Sequence, residues 1–169
     1  AVGAAKKTQL PPLVVDADGL KLLAKIPDWQ KILPQNTVLT PHPGEMSVLT
    51  GLSVDEIQSN RITTARHFAD QWGHIIVLKG ALTVIASPDG QFGIIPVATS
   101  ALAHAGTGDV LAGLITGLLA QGMTPFEAAA AGAWIHAQAG VIAANQMGNT
   151  ASVIASDVCD SISQVMRMC

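Results

Sequence analysis

The segment Ala105-Gly106-Thr107-Gly108-Asp109 stands directly before an apolar run at 110–120. Two glycines and a threonine at a helix start present unpaired N–H groups and partial positive charge. Glycines also let a phosphate approach that backbone closely. A carboxylate in the same place repels phosphate, so Asp109 makes chemical sense as a base that takes a proton from a hydroxyl attacking it. The plain structural alternative is that Thr107 or Asp109 caps a buried helix and the glycines only form its turn.

Other polar residues fall where strands are expected to end. Asp16 and Asp18 follow the apolar triplet 13–15. His42 and Glu45 follow 38–40, His42 lying between Pro41 and Pro43. Lys79-Gly80 follows 75–78. In open α/β sheets ligands bind beyond the carboxyl ends of the strands, so these segments and the 106–109 turn are expected to share one edge. Each also has a simpler role: turn hydrogen bonds for Asp16 and Asp18, favourable charge at a helix start for Glu45, a snorkelling stem for Lys79. Glu45 is alternatively placed to hold water on a magnesium ion beside phosphates. His67, His74, His104 and His136 show no ligand spacing and read as structural or surface residues.

The elements that must position these groups follow from pattern. A helix tail is expected over 1–9, ended by Pro11-Pro12, then strands at 13–15 and 38–40 with a helix beginning at 20–24. The segment Thr40-Pro41-His42-Pro43-Gly44-Glu45 runs into a helix that ends near Gly51. Ser53 and Glu56 form a capping box that predicts one helix running to about Trp72. The unbroken apolar run 75–78 reads as a central strand covered on both faces. Strands at 82–86 and 92–97 flank the turn sequence Ser87-Pro88-Asp89-Gly90 as a hairpin. Helices are expected at 109–121, 125–147 and 156–166, the second opened by the Thr124-Glu127 capping box with Pro125 at its first position. Strands alternating with helices give an α/β fold with a mostly parallel sheet.

Bulk properties exclude several functions. With 49% hydrophobic and 12% charged residues, much of this 169-residue chain must be buried, inside a fold or an oligomer. A net charge of -3 without any Lys/Arg cluster argues against a nucleic-acid surface. The apolar tract 125–144 contains Glu127, His136 and Gln138, so it reads as a core or interface helix rather than a membrane span. Cys159 and Cys169 lack metal-ligand spacing, which fits a reduced, cytoplasmic protein.

Taken together, Val15-Asp16-Ala17-Asp18, Thr40-Pro41-His42-Pro43-Gly44-Glu45-Met46, Leu78-Lys79-Gly80-Ala81 with Thr83, Ala105 to Gly113 and Ala155-Ser156-Asp157 resemble the ADP-dependent NAD(P)H-hydrate dehydratases of the ribokinase-like superfamily. The resemblance runs over nearly the whole chain, and Thr-Pro-His-Pro-Gly-Glu with Gly-Thr-Gly-Asp downstream is its specific combination. It implies a three-layer αβα sheet, mostly parallel with a hairpin. It also implies a reaction: the C6 hydroxyl of NADHX or NADPHX is phosphorylated from ADP (or ATP), and phosphate leaves to restore NAD(P)H. Asp109 is then the base, and the N–H groups of Gly106, Thr107 and Gly108 stabilise the transferring phosphoryl group. His42, Asp109 and Asp16 contact the hydrated dinucleotide. Lys79, Gly80, Ala81, Leu82, Thr83 and Gly108 contact the adenine nucleotide. Glu45 positions magnesium indirectly.

The resemblance further implies that 1–169 is the C-terminal portion of a single domain whose N-terminal strands are missing. On that expectation the isolated chain turns over little or nothing. It either forms a homo-oligomer, a tetramer by family tendency, or associates with the missing portion. Thr99-Ser100, His104 and Ala105 depart from the residues usual in the family and bear on fine substrate contacts. The rival readings are a small-molecule kinase of the same superfamily, acting on a vitamin precursor or sugar, and an inactive fragment or interaction module.

Overall fold

The structure is a computed structural model and describes residues 10–168; the helix tail expected at 1–9 lies outside them. Five strands form one sheet in the order β1 (Val14–Val15), β2 (Val38–Leu39), β3 (Ile75–Leu78), β4 (Val84–Ala86) and β5 (Phe92–Ile94). The pairs β1–β2 and β2–β3 are parallel, in register Val14 to Val38 and Val38 to Ile75. The β3–β4 and β4–β5 pairs are antiparallel. Only β4 therefore runs against the other four strands, which is the mostly parallel sheet with a hairpin that the pattern predicts.

Strand side chains alternate between the two faces of a sheet, and both faces here are buried. Val38, Ile75, Val77 and Ile85 pack on one side with residues of α5 (Thr107–Ala120), α6 (Pro125–Met147) and α7 (Ala155–Met166). Leu39, Ile76, Leu78 and Val84 pack on the other with α1 (Asp18–Leu23), α2 (Pro43–Thr50), α3 (Val54–Ser59) and α4 (Arg61–Trp72). The result is three layers, helices on both sides of the sheet, with all four β3 residues buried.

Close helix packing depends on two glycines of α6. A Cβ on Gly132 would lie 2.7 Å from Ile115 Cγ1, and one on Gly140 would lie 2.7 Å from Leu102 Cδ2. Side chains at these positions would force neighbours off their rotamers.

Three local expectations are corrected. The helix starting at Ser53 does not run unbroken to Trp72. It stops at Asn60, which leaves helical geometry (φ −131°, ψ 34°) while its side-chain amide donates to the Glu56 carbonyl, 3.3 Å away. Helix α4 restarts at Arg61 on a new course. The strand expected from Leu82 begins only at Val84, because Gly80 and Leu82 take positive φ (+145° and +58°) and the Thr83 hydroxyl closes the turn on the Gly80 carbonyl, 3.1 Å away. The strand expected to reach Val97 ends at Ile94, ahead of Pro96, which has no N–H for the ladder. The sequence also gave no sign of the short 3₁₀ turns at Trp29–Lys31 and Ser100–Ala103.

Candidate functional site

The parallel strands deliver their exits to one edge. Thr40 N donates to the Val15 carbonyl (3.1 Å) and Lys79 N to the Pro41 carbonyl (2.8 Å), so the pairing continues past β1, β2 and β3. Beyond that edge lies a cavity of about 700 Å³. Asp16, His42, Lys79, Gly80, Ala81, Thr83, Gly106, Thr107, Gly108 and Asp109 line it, joined by the 3₁₀ turn at Ser100–Ala103 and by His136. Asp18, Leu82 and Glu45 do not. Asp18 pairs with Lys21 on the surface, Leu82 is 48% exposed in its turn, and Glu45 is buried behind the wall.

A charged knot sits at the strand ends. Lys79 Nζ donates to Asp16 Oδ1 at 2.6 Å and lies 3.7 Å from Glu45 Oε2, with side-chain exposures of 20%, 10% and 5% for Lys79, Asp16 and Glu45. Lys79 is therefore no snorkelling surface lysine; its ammonium is committed to two carboxylates. Ala17, at φ +50°, is held in a conformation L-residues rarely adopt, immediately after Asp16.

Glu45 and His42 cap α2 reciprocally. His42 Nδ1 accepts from the N–H groups of Gly44 and Glu45, and His42 N donates to Glu45 Oε2 at 2.8 Å. Because Nδ1 accepts, the ring proton is on Nε2, which lies 3.3 Å from Glu45 Oε1. Both carboxylate oxygens of Glu45 are thus engaged, and among the described residues no group of three His, Cys, Asp or Glu side chains could hold a metal ion.

Helix α5 opens at Gly106 in the left-handed region (φ +85°), with no side-chain cap. The Thr107 hydroxyl turns instead to the carbonyls of Leu102 and His104, at 2.8 and 2.9 Å. Thr107 N–H meets the His104 carbonyl at 3.4 Å, and Asp109 N–H the Gly106 carbonyl at 3.1 Å. Among the described residues, the N–H groups of Gly106 and Gly108 make no such bond. A Cβ on Gly108 would stand 3.4 Å from Lys79 Nζ and 3.5 Å from Asp16 Oδ2, which places this turn against the charged knot. Asp109 is exposed, lines the cavity, and its carboxylate has no partner among the described residues.

Two contributors escaped the sequence reading. Arg61 donates from Nη2 to the Leu78 and Lys79 carbonyls, at 2.8 and 3.3 Å, and fills the space where a Cβ on Gly80 would lie. Its one sequence signal is an arginine just after the helix-breaking Asn60. His136 is buried, reaches the Thr107 carbonyl from α6 at 2.8 Å, and was read only as a structural or surface histidine. Its signal is a lone imidazole on an otherwise alanine- and glycine-rich helix face.

Burial pushes the His136 imidazole down to about 4, aided by the Lys79 charge and opposed by the Thr107 carbonyl. The unfolded imidazole titrates near 6.5. Between those values the unfolded chain binds the extra proton, so stability is fully present above about pH 6.5 and is lost as pH falls toward 4. The expected loss from His136 is about 3 kcal/mol. Burial lowers His74 too, with the same sign. Denaturant midpoints measured from pH 7 to pH 4 check this, and His136→Gln should flatten the slope.

Comparison with known proteins places this geometry. A family model described as NAD(P)H-hydrate dehydratase matches residues 1–164. The bifunctional NAD(P)H-hydrate repair enzyme of Moorella thermoacetica is 46% identical over 158 residues, covering 92% of this chain and 29% of that enzyme. The ADP/ATP-dependent NAD(P)H-hydrate dehydratase of Bacillus subtilis, co-crystallised with ATP and Mg²⁺, superposes with a TM-score of 0.82 at 34% identity, over 93% of this chain and 55% of that one. A ribokinase-like superfamily protein of Enterococcus faecalis shares the fold (TM-score 0.78, 24% identity), over 95% of this chain and 54% of that protein. The chain thus spans between about a third and just over half of these relatives. With the family model matching residues 1–164 and a dehydratase structure 34% identical sharing its fold, the chain belongs to the NAD(P)H-hydrate dehydratase family.

Proposed function

We propose that the protein carrying this chain restores NAD(P)H from its hydrate at the expense of an adenine nucleotide. The C6 hydroxyl oxygen of the hydrate attacks the terminal phosphorus of ADP (or ATP) as its proton passes to Asp109. The bond from phosphorus to the nucleotide's bridging oxygen breaks, releasing AMP (or ADP). Phosphate, a far better leaving group than hydroxide, then departs with the C6–O electrons, and loss of a ring proton restores the double bond. The observation that carries this reading is the unpartnered Asp109 carboxylate in a cavity beside free helix-start amides and Lys79.

In this reading His42 and Asp16 face the hydrated dinucleotide, and the Lys79–Thr83 turn with Gly108 faces the nucleotide. Lys79 meets a phosphate as a cation shared with Asp16 and Glu45 rather than as a free charge. Magnesium would supply charge neutralisation on the nucleotide phosphates. Among the described residues no cage of side chains is available for it, and Glu45 is already engaged by His42 and sits within reach of Lys79. No described helix is long and apolar enough to cross a membrane. A homo-oligomer is the proposed assembly.

The test is turnover of NADPH hydrate by the full-length protein with ADP. NADPH, AMP and phosphate should appear in equal amounts, and ADP should raise the melting temperature, as any ligand binding only the folded state does. A stable phosphorylated product without NADPH recovery would move the assignment to a kinase. No shift with ADP, ATP or AMP and no NADPH would overturn it.

A further inference from the structure

The amide that faces the reacting phosphate in the reading above has a carbonyl on its reverse side, and that carbonyl is held. Thr107 C=O and Gly108 N–H belong to one planar trans peptide, so fixing one fixes the direction of the other. His136 Nε2 lies 2.8 Å from the Thr107 oxygen. A carbonyl only accepts, so Nε2 carries the proton and donates. Thr107 is 3% exposed, and its hydroxyl is tied to the Leu102 and His104 carbonyls on another side. Of the amides at 107–109, only that of Gly108 has no partner among the described residues.

We propose that His136 is a positioning residue that aims and polarises the Gly108 N–H at the transferring phosphoryl group. The proposal rests on the dehydratase reading of this site. Hydrogen bonds in a chain strengthen one another, so a donor on the carbonyl makes the amide on the same peptide a better donor. Neighbouring Lys79, 3.4 Å from where a Gly108 Cβ would be, supplies charge on the same side. The cavity also touches His136 itself, and the other α6 residues of its lining, Ala133 and Ala137, carry no side-chain donor.

The experiment compares three substitutions in the full-length protein. Glutamine puts its amide nitrogen near the Nε2 position and keeps the bond; asparagine and leucine do not. We expect kcat with saturating NADPH hydrate and ADP to fall toward the ~10²–10³-fold that loss of one anion-hole donor costs in His136→Leu and His136→Asn, and by only about threefold in His136→Gln. KM for ADP should change little. Equal losses in the glutamine and asparagine proteins, or an unchanged kcat in a folded leucine protein, would overturn the proposal.

Should leucine prevent folding, the glutamine–asparagine pair decides. The wild-type ring gives an independent answer: nitrogen NMR should find His136 as the Nε2–H tautomer at neutral pH, and the Nδ1–H tautomer would overturn the proposal. The Gly108 amide resonance should move in His136→Leu and return in His136→Gln. Those two spectroscopic readouts stand even if the protein shows no dehydratase activity, so failure of the proposal and failure of the functional reading are separable.

Discussion

Replacing Asp109 with asparagine should lower dehydratase turnover by about 10²–10⁴-fold, the usual worth of a positioned general base, while ADP binding and stability stay close to wild type. The geometry explains why the three quantities separate. Asp109 lies on the first turn of α5 in the cavity, exposed and without a partner among the described residues. Asparagine therefore breaks no ion pair and fills the same volume. It cannot accept the proton of the attacking hydroxyl. It also removes a negative charge from beside the incoming phosphate, so nucleotide affinity should hold or improve slightly. Steady-state kinetics, calorimetric titration with ADP and a thermal melt measure the three separately. Turnover within tenfold of wild type would remove Asp109 from the role of base.

The second large effect is on folding. Lys79→Met should destabilise the protein by about 3 kcal/mol, the low end of the cost of removing one partner from a buried ion pair. Asp16 and Glu45, at 10% and 5% exposure, would lose the cation between them. The low end applies because Lys79 is one-fifth exposed, so water screens part of the interaction. Most of the loss comes from stranding the carboxylates rather than from the pair's own worth. Adding Asp16→Asn to Lys79→Met should therefore recover a large part of it, and chemical denaturation of the two single variants and the double variant measures the coupling. Additive losses would mean that Lys79 and Asp16 act independently. The Asp16 side chain bridges to Lys79 across 63 residues of sequence, so the variant should loosen the edge of the sheet where β1 and β3 end.

Much of this was legible from local pattern. The continuous apolar run at 75–78 reads as a strand with both faces covered, and it is the buried β3. The capping boxes at Ser53 and Thr124 mark helix starts through contacts three residues apart, and both form. The convergence of Asp16, His42, Lys79 and the 106–109 turn followed from the rule for parallel strand ends and the order of elements. The remainder depended on encounters that no short window of sequence contains. Asn60 ends a helix by favouring its own side-chain bond over the next turn, a competition that helical periodicity does not register. The Gly80 turn is shaped by Arg61, 19 positions away in sequence. His136 is tied to the site by a bond to a main-chain oxygen 29 residues earlier. A carbonyl partner leaves no mark on residue type, so the sequence shows a lone imidazole among small residues of α6 but not what it serves.

The tight fit of Gly132 against Ile115 also constrains how this protein can change over descent. A methyl at 132 collides with the γ carbon of residue 115, and the backbone of 115 lies only 3.5 Å away. Growth at 132 is therefore tolerable only after 115 has shed its branches, so the two replacements must arrive in one order, the shrinking one first. The same ordering binds Gly140 to Leu102, with a difference: Leu102 forms part of the cavity wall. Drift along the first pair is a matter for the core alone, whereas drift along the second reshapes the chamber where substrates would meet.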